Sequence, residues 1–293
     1  MRRLYAWTFA SVAAIFLAVL TPGPSAADVG PASTPTPSPK ASDPCGGPGR
    51  LLATANRPTV GFSACAVEKD TAVFELGYQN QVNGTASEGS IQSQAPQNFL
   101  RVGVATRFEL DVIGPNYVAS RTYGPGAPDV VSHGVTDSGL GFKYELPPKG
   151  KWTVGFDGLY TGPNGSPFLT AGSATLTGNL DASFSMSPAT SIGTTIAVSS
   201  TGQYSRNVRA QYGVTTPSVV LTTQIPHHYQ FYAEYVFVSK IAANAGGRAF
   251  TDFGVQKLLG SRTEIDVEYG HAFSGDPALR FDYVGSGLVV QFW

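Results

Sequence analysis

The sequence predicts an all-β protein, an antiparallel transmembrane β-barrel of about twelve strands. Three observations predict it. From Thr71 to Trp293, segment after segment alternates apolar and polar residues, the period of an extended strand. The polar positions carry ionisable groups of both signs, although only 13% of residues are charged, against roughly 25% in an average soluble domain. The N-terminus has the marks of an export signal, and the chain closes on an alternating strand, GLVVQFW.

The elements follow in order. Arg2 and Arg3 precede the apolar run LYAWTFASVAAIFLAVL, which Pro22, Gly23 and Pro24 interrupt. Ser25, Ala26 and Ala27 then offer small residues for cleavage, so residues 1–27 read as a signal peptide rather than a retained span. No Cys closes the run, which argues against a lipoprotein signal. Residues 28–44, DVGPASTPTPSPKASDP, form a Pro/Ser/Thr-rich linker without the apolar content to build a core. Residues 45–68 are bracketed by Cys45 and Cys65, the chain's two cysteines. They lack the tight C-x-x-C spacing of a redox or zinc site, so in an exported protein they read as a structural disulfide. The segment between them reads as a short cap or plug-like piece.

Residues 69–293 hold the strands. In TAVFELGYQN, Phe74, Leu76 and Tyr78 oppose Glu75, Gly77 and Gln79. NFLRVGV and RFELDVIG form a hairpin. A three-residue loop at Val104–Thr106 would put Arg101, Arg107, Glu109 and Asp111 on one face and Leu100, Val102, Phe108, Leu110 and Val112 on the other. GLGFKYEL sets Lys143 and Glu145 against Phe142, Tyr144 and Leu146, and KWTVGFDGLY sets Asp157 against Trp152, Val154 and Phe156. TLTGNLDASFSM, TSIGTTIAVSS, SVVLTTQI, HYQFYAEYVFVSK, AFTDFGVQKLL, RTEIDVEYGHAF and LRFDYVGSGLVVQFW continue the series. The expected long loops are 114–136, 161–171 and 201–213.

Alternation alone does not say which face is wet. A soluble sandwich points its apolar face inward; an outer-membrane barrel points it at lipid. Aromatics near strand ends (Tyr78, Phe99, Tyr117, Trp152, Tyr160, Phe231, Phe250, Phe273 and Phe281) suit headgroup girdles. The charges suit a narrow interior. On this reading the lumen-lining candidates are Arg101, Arg107, Glu109, Asp111, Lys143, Glu145, Asp157, Asp181, Glu234, Glu264, Asp266 and Glu268. Ile265, Val267 and Tyr269, which alternate with the last three, face lipid. Whether the lumen is open or filled stays undecided at this point.

NFLRVGVATRFELDVIG, SGLGFKYEL, FYAEYVFVS, FTDFGVQKLLGSRTEIDVEYGHAF and FDYVGSGLVVQF resemble the outer-membrane transporters named for the MetA pathway of phenol degradation, and DPCGG, NRPTV and SAC resemble the N-terminal piece of some members. The chain departs in ending on Trp293, one residue beyond the Phe that Phe292 matches. The resemblance implies an outer-membrane barrel that passes small, often aromatic or hydrophobic, molecules.

Other chemistry is thinly represented. His227 and His228 follow Pro226 without a supporting Cys or near acid, and His133 stands alone. His271 and Ser274 sit beside Gly275 and Asp276, where turn chemistry accounts for them. The reading is therefore a non-enzymatic channel for passive uptake, with no cofactor and no metal. Its expected partners are outer-membrane lipid, a small-molecule permeant and the barrel-assembly machinery, the last through the C-terminal strand. A net charge of −1 gives no reason to expect nucleic acid. The alternatives are a structural or adhesive barrel acting through its loops, and a soluble secreted β-sandwich that binds a ligand.

Overall fold

The computed structural model describes residues 45–46, 50–85, 87–126, 128–205, 208–275 and 280–293. The expected signal peptide and linker lie outside the described residues. A short helix, α1 (Arg50–Thr54), precedes the strand segments. These are β1 (Ala72–Gly84), β2 (Gly89–Ala105), β3 (Phe108–Ile113), β4 (Tyr117–Tyr123), β5 (Val130–Val135), β6 (Gly139–Glu145) and β7 (Trp152–Thr161). They continue as β8 (Thr175–Ser185), β9 (Thr190–Ser205), β10 (Val208–Ile225), β11 (Tyr229–Val238), β12 (Arg248–Leu259), β13 (Thr263–Ala272) and β14 (Phe281–Phe292).

β3 and β4 run in line against the long β2, and β5 and β6 run in line beside them. Each pair is one strand interrupted by a few residues, so the fourteen segments make a twelve-stranded antiparallel barrel. β1 pairs with both β14 and β2, which closes the sheet on itself and removes the edges that an open sheet would expose.

One end of the barrel has short turns: 106–107, 146–151, 186–189, 226–228 and 260–262. The start of β1 and the end of β14 meet there, with Ala72 opposite Phe292. The other end carries the longer connections. Two expected loops prove to be largely strand. Residues 114–136 contain the β4–β5 hairpin, and 201–213 are spanned by β9 and β10 pairing as far as Ser205 and Val208. The expected loop at 161–171 is a loop, running from 162 to 174 and packed on β5 through Ser166. The upper part of β2, GSIQSQAPQ, is also strand where none was expected. Its residues are polar on both faces, so no alternation announces it.

The β2–β3 hairpin differs in detail from expectation. Its turn is Thr106–Arg107, with Arg107 at φ 63°, and the register shifts by one residue between Gly103 and Ala105. That bulge restores the parity that a two-residue turn would break, so Arg101, Glu109 and Asp111 share the inner face while Arg107, expected beside them, falls in the turn. Leu110, Val112, Leu140, Phe142, Leu180, Ile196, Val219 and Phe253 are all exposed on the outer face. Arg101, Glu109, Lys143, Glu145, Asp157, Asp181 and Glu234 are buried on the inner one. A soluble barrel would have these two sets exchanged.

Candidate functional site: an N-terminal plug on a cradle of buried charges

Residues 50–68 lie inside the barrel. Leu51, Leu52 and Ala55 of the helical turn, with Val67, pack on Val73, Leu258 and Val289 of the wall near the short-turn end. The barrel leaves room for this segment by presenting glycine. A side chain at Gly155 would meet the Ala64 carbonyl at 2.8 Å, and one at Gly103 would collide with the Glu68 carbonyl. Cys45 and Cys65 are disulfide-bonded and both buried, tying the two ends of the plug together as expected.

Beyond α1 the plug has no regular secondary structure, so its buried backbone amides need partners from elsewhere. The wall carboxylates supply them. Glu75 accepts from the backbone amides of Asn56 (3.1 Å) and Arg57 (3.0 Å). Glu234 accepts from Val60 (2.7 Å) and Gly61 (2.8 Å). Glu145 accepts from Ala66 at 2.9 Å, and Glu109 from Val67. Wall cations take the plug's carbonyls in return. Arg101, fully buried, donates to the carbonyls of Thr54 and Cys65 while paired with Glu75 and Glu109. Lys143 donates to the Ser63 carbonyl, lies 3.3 Å from Asp157 and sits 5.5 Å from the Phe62 ring centroid.

The plug contributes one cation of its own to the cradle. Arg57 pairs with Asp266 (3.3 Å) and Glu268 (3.2 Å) on β13, and donates to Gln97 and to the Ser286 carbonyl. Burial alone would push its pKa down; the carboxylates of Asp266 and Glu268 outweigh that and raise it, so the guanidinium is a permanent charge.

The structure thus brings eleven of the twelve candidates into one buried interior set, from Arg101 on β2 to Glu268 on β13. Asp111 and Asp181 belong to it through the wall: Asp111 lies opposite Arg101, and Asp181 accepts from Thr195 at 2.6 Å. Glu264 is buried on the same face, two residues from Asp266. The one that stands apart is Arg107, which lies in the turn, half exposed, 3.6 Å from Glu145. The carboxylates of TEIDVEY are buried on the inner face, where Asp266 and Glu268 meet Arg57 of the plug. Sequence reading passed over three members. Glu75 shares the parity of Gly77 and Gln79; Asp252, buried on β12, lies among inward Phe250 and Leu258, which mask the polar face; Arg57 lies outside the strands altogether.

The aromatics also divide. Tyr78, Tyr117, Trp152, Tyr160, Phe231 and Phe273 are exposed on the outside, as girdle residues would be. Phe99, Phe250 and Phe281 are not girdle residues. Phe99 faces Phe62 of the plug, 6.0 Å between ring centroids, and Phe250 and Phe281 pack with Tyr283, Val236 and Ala272 inside the barrel. Bulky groups at these positions fill the lumen along β11–β14. His227 and His228 both adopt positive φ in the β10–β11 turn, and no cluster of metal-ligating residues occurs among the described residues.

The crystal structure of the COG4313 outer membrane channel from Pseudomonas putida F1 matches this chain with a TM-score of 0.61 and 11% identity, over 78% of this chain and 98% of that one. The fold is that of an outer-membrane barrel. The β domain of the Bordetella autotransporter BrkA matches with a TM-score of 0.51 and 14% identity, over 76% of this chain and 99% of that one. No protein-family model and no curated protein sequence matches the chain.

Proposed function

We propose that the protein is an outer-membrane channel for passive uptake of small molecules, closed at rest by its own N-terminal segment. The observation that carries this reading is the inverted polarity of the wall. Large apolar residues such as Leu140, 62% exposed, cover the outside, while Arg101 and Lys143 are fully buried inside. Lipid is the solvent that stabilises such a surface. With short turns on the periplasmic side, as in bacterial outer-membrane barrels, the plug sits in the periplasmic half. Residues 1–27 would direct export, and β14 would present the terminal aromatic strand to the assembly machinery.

The strand motifs shared with the MetA-pathway transporters make small aromatic molecules, phenol among them, the first permeants to try. Among the described interior groups, Glu75, Glu109, Glu145, Glu234, Arg101 and Lys143 are engaged in holding the plug. The test is planar-bilayer recording of the folded, detergent-purified protein, with and without phenol. Stepwise conductance that phenol alters supports an aromatic-permeating channel. A folded barrel that never conducts under any applied voltage would overturn the channel reading and turn attention to the long-loop end as a binding surface.

A further inference from the structure

The plug does not fill the barrel evenly. Its charged contacts lie chiefly on β1–β7 and β11–β13, and the aromatic cluster occupies the interior along β11–β14. Among the described residues, two cavities lie largely against β8–β10. The larger, about 600 Å³, opens toward the short-turn end and is walled by Ser183, Ser191, Gly193, Thr222 and Gln224. The smaller, about 180 Å³, lies above it and is walled by Thr177, Asn179, Ala197 and Thr216.

One row of the wall separates them. Asp181 pairs in register with Thr195, and Thr195 with Ser218. Against this row rests a loop of the plug, Val60–Phe62. Glu234 holds it by two backbone amides, and Thr195 donates to the Phe62 carbonyl at 3.2 Å. Gly61 fits because it has no side chain: a Cβ there would lie 2.5 Å from the Ser218 hydroxyl and 2.9 Å from Glu234.

We propose that permeation follows this β8–β10 lane, that lifting the Val60–Phe62 loop off Glu234 opens it, and that the lane takes small uncharged solutes bearing hydroxyl groups. The proposal rests on the channel reading and deepens it. The chemistry of the lane supports the solute class. Its barrel wall is chiefly Ser, Thr, Asn, Gln, Gly and Ala, with Val220 and Leu159 among them, and offers hydrogen bonds. The carboxylates at the dividing row, Asp181 and Glu234, disfavour an anion. Two cations touch the larger cavity: Arg57, engaged by its carboxylates, and Lys151, exposed on the turn at its mouth. Joining the cavities requires moving three residues of irregular backbone and leaves the Arg57 anchor in place.

The experiment is liposome swelling with the full-length protein, comparing arabinose with arabonate, a solute of similar size that carries a negative charge. Glu234→Ala removes the loop's acceptor from the wall side, and Gly61→Val unseats the loop from the plug side. Both should raise the arabinose rate at least about fivefold and favour arabinose over arabonate. Adding Gly193→Trp, which fills the larger cavity, should return the rate to that of the unmodified protein; Leu180→Trp, on the lipid face, should not. If Glu234→Ala and Gly61→Val stay closed while Arg57→Gln opens, the lane is wrong and the channel reading stands. If Gly193→Trp leaves the opened variants permeable, the route lies elsewhere. Folded variants that all remain impermeable, Arg57→Gln included, overturn both readings.

Discussion

Arg57→Gln is the substitution that most directly tests how the plug is held. In the native protein its guanidinium is paired with Asp266 and Glu268, both carboxylates nearly inaccessible to solvent. Removing one partner of a buried pair leaves the other charge uncompensated, at a cost of about 3–5 kcal/mol. The barrel's own strand ladder does not include Arg57, so the cost falls on docking of the plug. At about 1.4 kcal/mol per factor of ten, the docking equilibrium shifts by roughly a hundredfold to a few thousandfold. Hydrogen exchange of the Asn56, Val60, Gly61, Ala66 and Val67 amides reports it, because each donates to a wall carboxylate only while docked. Their exchange should accelerate by that factor, while strand amides keep their protection. A companion variant that adds Asp266→Asn and Glu268→Gln should recover most of the loss, since no orphan charge remains. Protection unchanged within about threefold in Arg57→Gln would refute the reasoning. Equal loss in the single and triple variants would locate the cost in packing instead of charge.

Two further outcomes follow from the same geometry. Replacing Cys45 and Cys65 by Ser opens a cross-link between residues 20 apart, worth about 3 kcal/mol in the chain-entropy model; limited trypsin digestion at Arg50 should speed up while the heat-dependent gel shift of the folded barrel persists. Leu180→Arg places a cation on the lipid face, where it costs about 2–4 kcal/mol near the bilayer midplane. Refolding into liposomes, followed by urea titration, should show that loss, and the same protein in a soluble setting would show none.

The wall was legible in the sequence because a strand in a bilayer must alternate. Glu264, Asp266 and Glu268 are inward for the same reason that Ile265, Val267 and Tyr269 are not. The parts that alternation does not govern were hidden. β4, β5 and the upper half of β2 project beyond the closed part of the sheet, where both faces are polar or mixed. Phe99 shares parity with Arg101 and so had to be inward, yet its proximity to a strand end suggested a girdle. Phe250 and Phe281 face inward because the lumen at their level is filled, a fact no single strand contains. The destination of Arg57 was hidden most deeply: it reaches across more than 200 residues of sequence to Asp266, and nothing near Pro58 marks it.

The cradle also says what a fully emptied channel would select. The buried side chains of the wall include eleven carboxylates, Glu75, Glu109, Asp111, Glu145, Asp157, Asp181, Glu234, Asp252, Glu264, Asp266 and Glu268, against two cations, Arg101 and Lys143. With the plug in place part of this imbalance is offset, because Glu75, Glu109, Glu145 and Glu234 accept from its irregular backbone and Arg57 pairs with Asp266 and Glu268. With the plug displaced, the same groups meet water and line a pore with a ring of negative charge. The two ways of opening should therefore differ in kind. Arg57→Gln, which frees the whole segment, should give cation-selective conductance, seen as a shift of reversal potential in a KCl gradient. Glu234→Ala, which frees only the Val60–Phe62 loop and removes one acid, should pass neutral solute with a reversal potential closer to zero. Anion selectivity in Arg57→Gln would mean that the acids stay covered when the plug moves, and that the cradle is the static core of the barrel and not a docking site.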